Sequence, residues 1–285
     1  MKVIAVVNTA AGSVGQDGCE RMRDALVSLE IVNSEITALD PTASETQLKR
    51  MACMSHDLFV VWGGDGTHRA ALNTAGRTNS NLVLLPGGTM NLLSKWIHGD
   101  RPWAGILRTI VKSSRVYPLP AGQVQDSRFF CALVAGVPAL LAEARESLRH
   151  GDLGRAIHDI GEAFETVHHL HLAARLEGNT RAAPEFGGGT NVIGALVGPL
   201  SHNGRMEAAA LTLPSAFSAI EYVWSSFQTG WREMPGARIL PAEALTVSCD
   251  AGARPPVVMD GERVDVGSEF RVDFVERGAE CLVAT

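Results

Sequence analysis

Apolar and polar positions follow one pattern before about Pro120 and another after it. In the first part, short unbroken apolar runs alternate with helical periodicity. Val3–Val7 is a continuous, β-branched run, the signature of a strand buried on both faces of a parallel sheet. The loop Ala11-Gly12-Ser13-Val14-Gly15 follows, then a helix over 17–29 with Met22, Ala25, Leu26 and Leu29 on one face. Ser34–Leu39 reads as a second strand, closed by Asp40-Pro41, and Ser44–Met54 as a helix. The strand Leu58–Trp62 runs into Gly63-Gly64-Asp65-Gly66-Thr67, with helix over His68–Ala75. Leu82–Leu85 is the next strand, followed by Pro86-Gly87-Gly88-Thr89 and a helix from about Met90. This βαβαβ rhythm predicts an α/β domain with a doubly wound, Rossmann-like parallel sheet. Ligands of such sheets sit at the carboxyl ends of the strands, where both glycine turns fall.

Beyond Pro120 the crossover helices stop. Phe129–Val134, Leu170–Leu176, Asn191–Val197, Ala244–Cys249, Pro256–Met259 and Glu269–Phe274 read as strands of a mainly antiparallel second domain with inserted helices. Glu177–Thr190, with Gly187-Gly188-Gly189, reads as an exposed loop or hairpin end. The expected domains are 1–120 and 121–285, with the last residues able to return to the first.

Composition narrows the function classes. The 285 residues are 46% apolar and 20% charged, as in a folded globular protein. A net charge of -6 gives no general attraction to nucleic acid, though it leaves room for a local basic patch facing anionic lipid. The five cysteines are scattered without a CxxC pair, so reduced thiols are expected, not a zinc site or a disulfide framework. No apolar stretch reaches membrane-span length: Cys131–Ala142 contains Gly136 and Pro138. A cytoplasmic protein, peripheral at the inner membrane surface at most, is expected.

The candidate chemistry lies in the turns. Glycines directly after a buried strand let backbone amides approach a phosphate without a Cβ in the way. In Gly63–Thr67, Asp65 can orient a metal ion or hold the loop, and Thr67 offers a hydroxyl. The Gly-Lys-Ser/Thr ending of a Walker A loop is missing. A tight strand-to-helix turn held by Asp65 is the plainer alternative for this loop taken alone. Leu85-Pro86-Gly87-Gly88-Thr89-Met90-Asn91 repeats the design on the next strand, so two helix N-termini are expected to point at one anion. Asn8 and Gly12-Ser13, on a third strand, can complete the pocket.

Together, Asn8-Thr9-Ala10-Ala11-Gly12-Ser13, Gly63–Thr67 and Pro86–Asn91 resemble the ordered nucleotide-binding motifs of the diacylglycerol kinase catalytic family. That family includes bacterial lipid kinases and the sphingosine and ceramide kinases. The resemblance is strong over the N-terminal third and returns at Met259-Asp260-Gly261-Glu262, which is similar to the family's Asp-Gly-Glu turn. It implies an α/β domain plus a β-sandwich, ATP and Mg²⁺ as cofactors in an interdomain cleft, and a lipid alcohol as acceptor. Carried over, Gly63, Gly64, Asp65, Gly66 and Thr67 line the phosphates, with Asp65 also the candidate ligand of the nucleotide Mg²⁺. Asn8, Gly88, Thr89 and Asn91 face them, and Thr37 stands where the family often places a nucleotide-contacting threonine. Glu262 becomes the general base and Asp260 its orienting or Mg²⁺-positioning partner. By itself Asp260-Gly261-Glu262 reads as a hairpin turn. Two departures stand out: Arg69-Ala70 replace the family's Asn-Glu, and Asn203-Gly204 replace an Asp-Gly in the metal-associated stretch, here Gly198–Arg205.

The segment 216–231 puts Phe217, Ile220, Trp224, Phe227 and Trp231 on one helical face, either packed on the sandwich or forming a lip for acyl chains. Segments 137–148 and 157–167 are further candidate walls of a lipid pocket. His168-His169-Leu170-His171 places two imidazoles on one strand face without further ligands nearby. NAD kinases share a Gly-Gly-Asp-Gly-Thr loop, so a kinase of a soluble substrate is the enzymatic alternative. A catalytically silent nucleotide- or lipid-binding protein is the third. The Pro86–Asn91 motif and the Asp260–Glu262 turn favour a lipid kinase.

Overall fold

The computed structural model describes residues 1–77, 81–136, 138–139, 170–178, 185–201, 205–213, 232, 236–250 and 253–285. By compactness the chain forms two units, Met1–Ala121 with Glu276–Thr285, and Gly122–Val275.

The first unit opens with β1 (Val3–Val7), α1 (Gly18–Ser28), β2 (Ser34–Ala38) and α2 (Ser44–Ala52). It continues with β3 (Leu58–Gly63), α3 (Asp65–Thr74), β4 (Leu82–Pro86), α4 (Leu92–His98) and α5 (Trp103–Lys112). The four strands are parallel in the order β2-β1-β3-β4. Every residue of β1 and β3 is buried, which is why both read as unbroken apolar runs. On one face, Val3, Ala5, Val7, Val60 and Leu85 meet Met22 and Leu26 of α1 and Ile106, Leu107 and Ile110 of α5. Because β2 and β3 leave β1 on opposite sides, the strand order reverses between β1 and β3, the ligand crevice of doubly wound sheets.

Two boundaries differ from the sequence expectation. Helix α3 begins at Asp65, three residues before His68, so Asp65, Gly66 and Thr67 form its first turn instead of a loop. Helix α4 starts at Leu92 because Asn91 adopts the left-handed conformation (φ 53°), which asparagine tolerates and which cannot continue a helix.

The second unit is built from antiparallel strands. They are β6 (Ser127–Phe129), β7 (Ala132–Gly136), β8 (Leu172–Glu177), β9 (Glu185–Thr190), β10 (Val192–Leu196), β11 (Glu207–Leu211), β12 (Arg238–Pro241), β13 (Ala244–Cys249), β14 (Val257–Met259) and β15 (Glu262–Arg263). The strands β5 (Ser114–Val124) and β16 (Glu269–Ala284) carry the chain out of the first unit and back to it. One sheet has the order β12-β11-β10-β7-β14-β15 and the other β6-β5-β16-β13-β8-β9. Leu133, Ile193, Ala208 and Met259 of the first share a single core with Leu172, Leu176, Leu245, Val247, Phe270 and Val272 of the second. That shared core makes a sandwich.

Gly187, Gly188 and Gly189 lie within β9, paired to β8, and not in a loop. The expected strand Phe129–Val134 is two strands, broken at Phe130-Cys131. Segments 140–148, 157–167 and 216–231, His168, His169 and Asn203-Gly204 lie outside the described residues. Among the described residues, no helix is long and apolar enough to cross a membrane.

Candidate functional site

Three turns meet at the carboxyl edge of the parallel sheet. Asn8, the residue after β1, donates from Nδ2 to Thr67 Oγ1 at 2.8 Å, spanning the crevice between β1 and β3. Its Oδ1 accepts the Ala10 amide at 3.1 Å, so the side chain is fixed from both ends. The Ser13 amide donates to the Gly87 carbonyl at 2.9 Å, and the Gly87 amide to the Gly63 carbonyl at 2.8 Å. The glycines are where they are because the turns touch. A Cβ on Gly88 would lie 2.7 Å from Gly64 Cα, and one on Gly87 2.5 Å from Val14 Cγ2. A Cβ on Gly63 would lie 2.7 Å from Thr67 Cβ. Close approach, by backbone at Gly88 and by the Val14 and Thr67 side chains at Gly87 and Gly63, and not a left-handed φ, therefore selects glycine here.

The first bond within α3 runs from the His68 amide to the Gly64 carbonyl. The amides of Asp65, Gly66 and Thr67 thus have no acceptor inside the helix and project from its positive end. Helix α4 is different. Asp65 accepts the Leu92 amide (3.2 Å) on Oδ2 and the Leu93 amide (3.1 Å) on Oδ1. The carboxylate of one helix start thereby caps the next helix, and α4 has no open end for an anion. The expectation of two helix ends aimed at one ligand is corrected: the Leu92 and Leu93 amides of α4 are already taken by Asp65, whereas no side-chain cap covers the start of α3. Asn91 closes the third turn on itself, with Oδ1 accepting the Gly88 amide at 2.7 Å and Nδ2 donating to the Gly88 carbonyl at 2.6 Å. Thr89 is exposed, with its Oγ1 beside Gly12, where a Cβ would come within 3.3 Å. Thr37 is half-buried on β2, paired to Val6, and accepts a bond from Gln47 Nε2 at 3.3 Å.

Two buried histidines lie behind the turns. His68 contacts the Leu85 carbonyl through Nε2 at 3.0 Å, while its Nδ1 has no partner. His98, at the end of α4, is 4% exposed and has only the Leu84 backbone as a weak polar neighbour. Burial lowers the His68 pKa, against the opposing pull of the Asp65 carboxylate. Burial likewise holds His98 down at about 4, helped by Arg101 and by repulsion from His68 when that imidazole is protonated, and opposed by the Leu84 backbone. Both imidazoles are neutral near pH 7.

In the second unit, Asp260 and Gly261 form a two-residue hairpin turn between β14 and β15, with φ of 48° and 87°, the positive pair of a type I′ turn. The Asp260 carboxylate accepts three consecutive amides, Phe130 (2.7 Å), Cys131 (2.9 Å) and Ala132 (2.9 Å). Its own amide donates to the Ala132 carbonyl at 2.8 Å. These bonds hold the corner that breaks the apolar run between β6 and β7. Glu262 follows in β15, exposed and paired across the hairpin to Met259.

Residues 2–122 match the diacylglycerol kinase catalytic domain. The matched segment contains β1 to α5 and all three glycine turns of the first unit. The Asp260–Glu262 turn lies outside it. No curated protein matches the chain by sequence. Among solved structures, the chain is similar to a crystal structure of a diacylglycerol kinase from Bacillus anthracis str. Sterne, with 14% identity, 99% of this chain and 96% of that one covered, and a TM-score of 0.64. A second crystal structure from the same organism, provisionally named a diacylglycerol kinase, matches at 16% identity over 99% and 97% of the two chains, with a TM-score of 0.66. Another solved structure from that organism, named in the same provisional way, matches at 15% identity over 98% and 96%, with a TM-score of 0.65. At these identities the likeness speaks for the fold.

The first unit holds site-adjacent residues that the sequence did not single out. Trp62 ends β3 and donates from Nε1 to the Pro86 carbonyl at 2.9 Å. It stacks on Trp103 of α5 with centroids 4.1 Å apart, and Arg21 of α1 lies 5.1 Å from the Trp62 ring. A tryptophan directly before a glycine turn was the available signal. Nothing local marks Arg21.

Proposed function

We propose that the protein is an ATP-dependent lipid kinase, moving the γ-phosphoryl group of ATP to the hydroxyl of a lipid such as diacylglycerol, ceramide or a sphingoid base. The observation that carries the reading is the open N-terminus of α3 at the switch point, bridged by Asn8 to Thr67. Free amides at Asp65, Gly66 and Thr67, with the exposed Thr89 hydroxyl opposite, suit the phosphates of a nucleotide. Gly63, Gly64, Gly88 and Asn91 keep the turns close enough for this, and Thr37 is assigned to the nucleotide from the neighbouring strand.

The residues suit Mg²⁺ only as a passenger of the nucleotide. No cluster of three acidic, histidine or cysteine side chains exists among the described residues, and Asp65 already accepts two amides. Asp65 is the group that would touch such an ion, the remainder of its shell being phosphate oxygen and water. The ion would neutralise charge on the transferring phosphoryl group. Glu262 is assigned to accept the proton of the lipid hydroxyl as its oxygen bonds to phosphorus and ADP departs. Asp260, fixed by three amides, acts as the anchor of that hairpin. Because the transition state is loose, orienting the hydroxyl matters more than a strongly basic carboxylate.

Incubation with γ-labelled ATP and separate panels of diacylglycerol, ceramide, sphingoid base and NAD tests the proposal. Label is expected in a lipid. Label in NAD alone would make the enzyme a kinase of a soluble substrate, and label in nothing would favour a silent binding protein.

A further inference from the structure

We infer that Arg21 is a positioning residue for the nucleotide-phosphate crevice, acting through the carbonyl of Val14; the functional consequence rests on the kinase reading above. Three contacts fix the guanidinium. It lies 5.1 Å from the Trp62 ring centroid and 5.8 Å from that of Trp103, and Nη1 donates to the Val14 carbonyl at 2.9 Å. Asp17, one turn earlier on the chain, stands 3.8 Å from Nη1. The side chain is 40% exposed, so this arrangement is not dictated by burial.

Val14 links Arg21 to the turns. It is fully buried, and its methyls fill the space beside Gly18 and Gly87: a Cβ would lie 2.4 Å from Val14 Cγ1 at Gly18 and 2.5 Å from Cγ2 at Gly87. One residue earlier, the Ser13 amide bonds the Gly87 carbonyl. Trp62, the other surface Arg21 rests on, bonds the Pro86 carbonyl. Arg21 therefore touches the first turn directly and the third turn through Trp62. It fixes the spacing between Gly12 and Thr89, the mouth of the crevice.

Lysine cannot substitute. A planar guanidinium can lie against an indole and donate in its own plane to a carbonyl, whereas an ammonium is a compact, strongly hydrated charge. A plain stabilising role would lower global stability and leave local exchange and affinity in proportion. A positioning role loosens the turns selectively.

The test compares wild type with Arg21→Lys, Arg21→Ala and Trp103→Phe, reading amide hydrogen exchange residue by residue, and then MgATP KM and kcat. In Arg21→Lys and Arg21→Ala, exchange at Ser13 and Gly87 is expected to rise at least tenfold, while Val60 and Val83 in the sheet stay within twofold. Trp103→Phe, which keeps an aromatic ring under the guanidinium, is expected to stay near wild type. MgATP KM should rise about tenfold in both Arg21 variants with kcat within threefold. Unchanged exchange at Ser13 and Gly87, or an equal rise throughout the sheet, overturns the inference. Selective exchange without any ATP turnover in wild type would uphold the positioning role and reject the kinase reading instead.

Discussion

The side-chain amide of Asn8 donates to Thr67 Oγ1 at 2.8 Å across the point where the strand order reverses. This bond ties the end of β1 to the first turn of α3, a helix start without a side-chain cap. Asn8→Ala should cost about 1 kcal/mol of stability, the usual size of one such bond. It should also reduce kcat/KM for MgATP about tenfold or more. In a double-mutant cycle with Thr67→Val, the two losses should be less than additive. Full additivity would mean that the pair does not act as a unit.

Asp65 is expected to be a stability residue as well as a site residue. Its carboxylate caps α4 with two charge-assisted bonds. Removing it in Asp65→Ala should cost about 2 kcal/mol in denaturant unfolding. Asp65→Asn retains an acceptor and should recover part of that stability while still impairing the Mg-nucleotide step. Equal stability of wild type and Asp65→Ala would show that the cap is not formed.

Asp260 should behave differently from Glu262 although both lie on one hairpin. Three amides lose their acceptor in Asp260→Ala. The expected cost is about 3–5 kcal/mol, read as a shift of the unfolding midpoint. Loss of turnover without loss of stability would instead place Asp260 in the chemistry.

Much of the first unit was legible because burial on both faces writes a parallel strand as an apolar run, as in Val3–Val7 and Leu58–Trp62. The start of α3 was hidden because Asp65 and Gly66 read as loop residues, whereas the His68 amide bonds back to the Gly64 carbonyl and draws them into the first turn. β5 was missed since Pro118 and Pro120 argue against a strand. They are tolerated because β6 pairs only with Gly122–Val124 of β5, leaving that earlier stretch without β6 as a partner. β16 was cut short at Phe274 because Glu276-Arg277-Gly278 breaks the alternation. Gly278 is required by Ala121, whose Cβ would be 2.3 Å from an added one. The glycine turns of the site were visible as motifs. The Asp65 cap, the three amides on Asp260 and the Arg21 contacts all join residues remote in sequence, and a local pattern carries no trace of them.

The two histidines behind the turns predict an acid-side loss of stability. An unfolded histidine titrates near 6.5, whereas His98 in the fold is held at about 4. The unfolded chain therefore binds the extra proton between those values, and stability falls as pH drops from about 6.5 to 4. The His98 share is about 3 kcal/mol at full development. His98→Phe should flatten the pH dependence of the unfolding free energy in that window. An unchanged slope would show that His98 protonates without penalty.

The central claim is phosphoryl transfer to a lipid hydroxyl with Glu262 taking the proton, and one comparison tests it most directly. Wild type and Glu262→Gln are given γ-labelled ATP and dispersed diacylglycerol, ceramide or sphingoid base, while MgATP affinity is measured alongside. Label is expected in a lipid with wild type, with a loss of about a thousandfold or more in Glu262→Gln and ATP affinity within about threefold. Equal lipid labelling by the variant, or labelling of NAD alone by wild type, would contradict it.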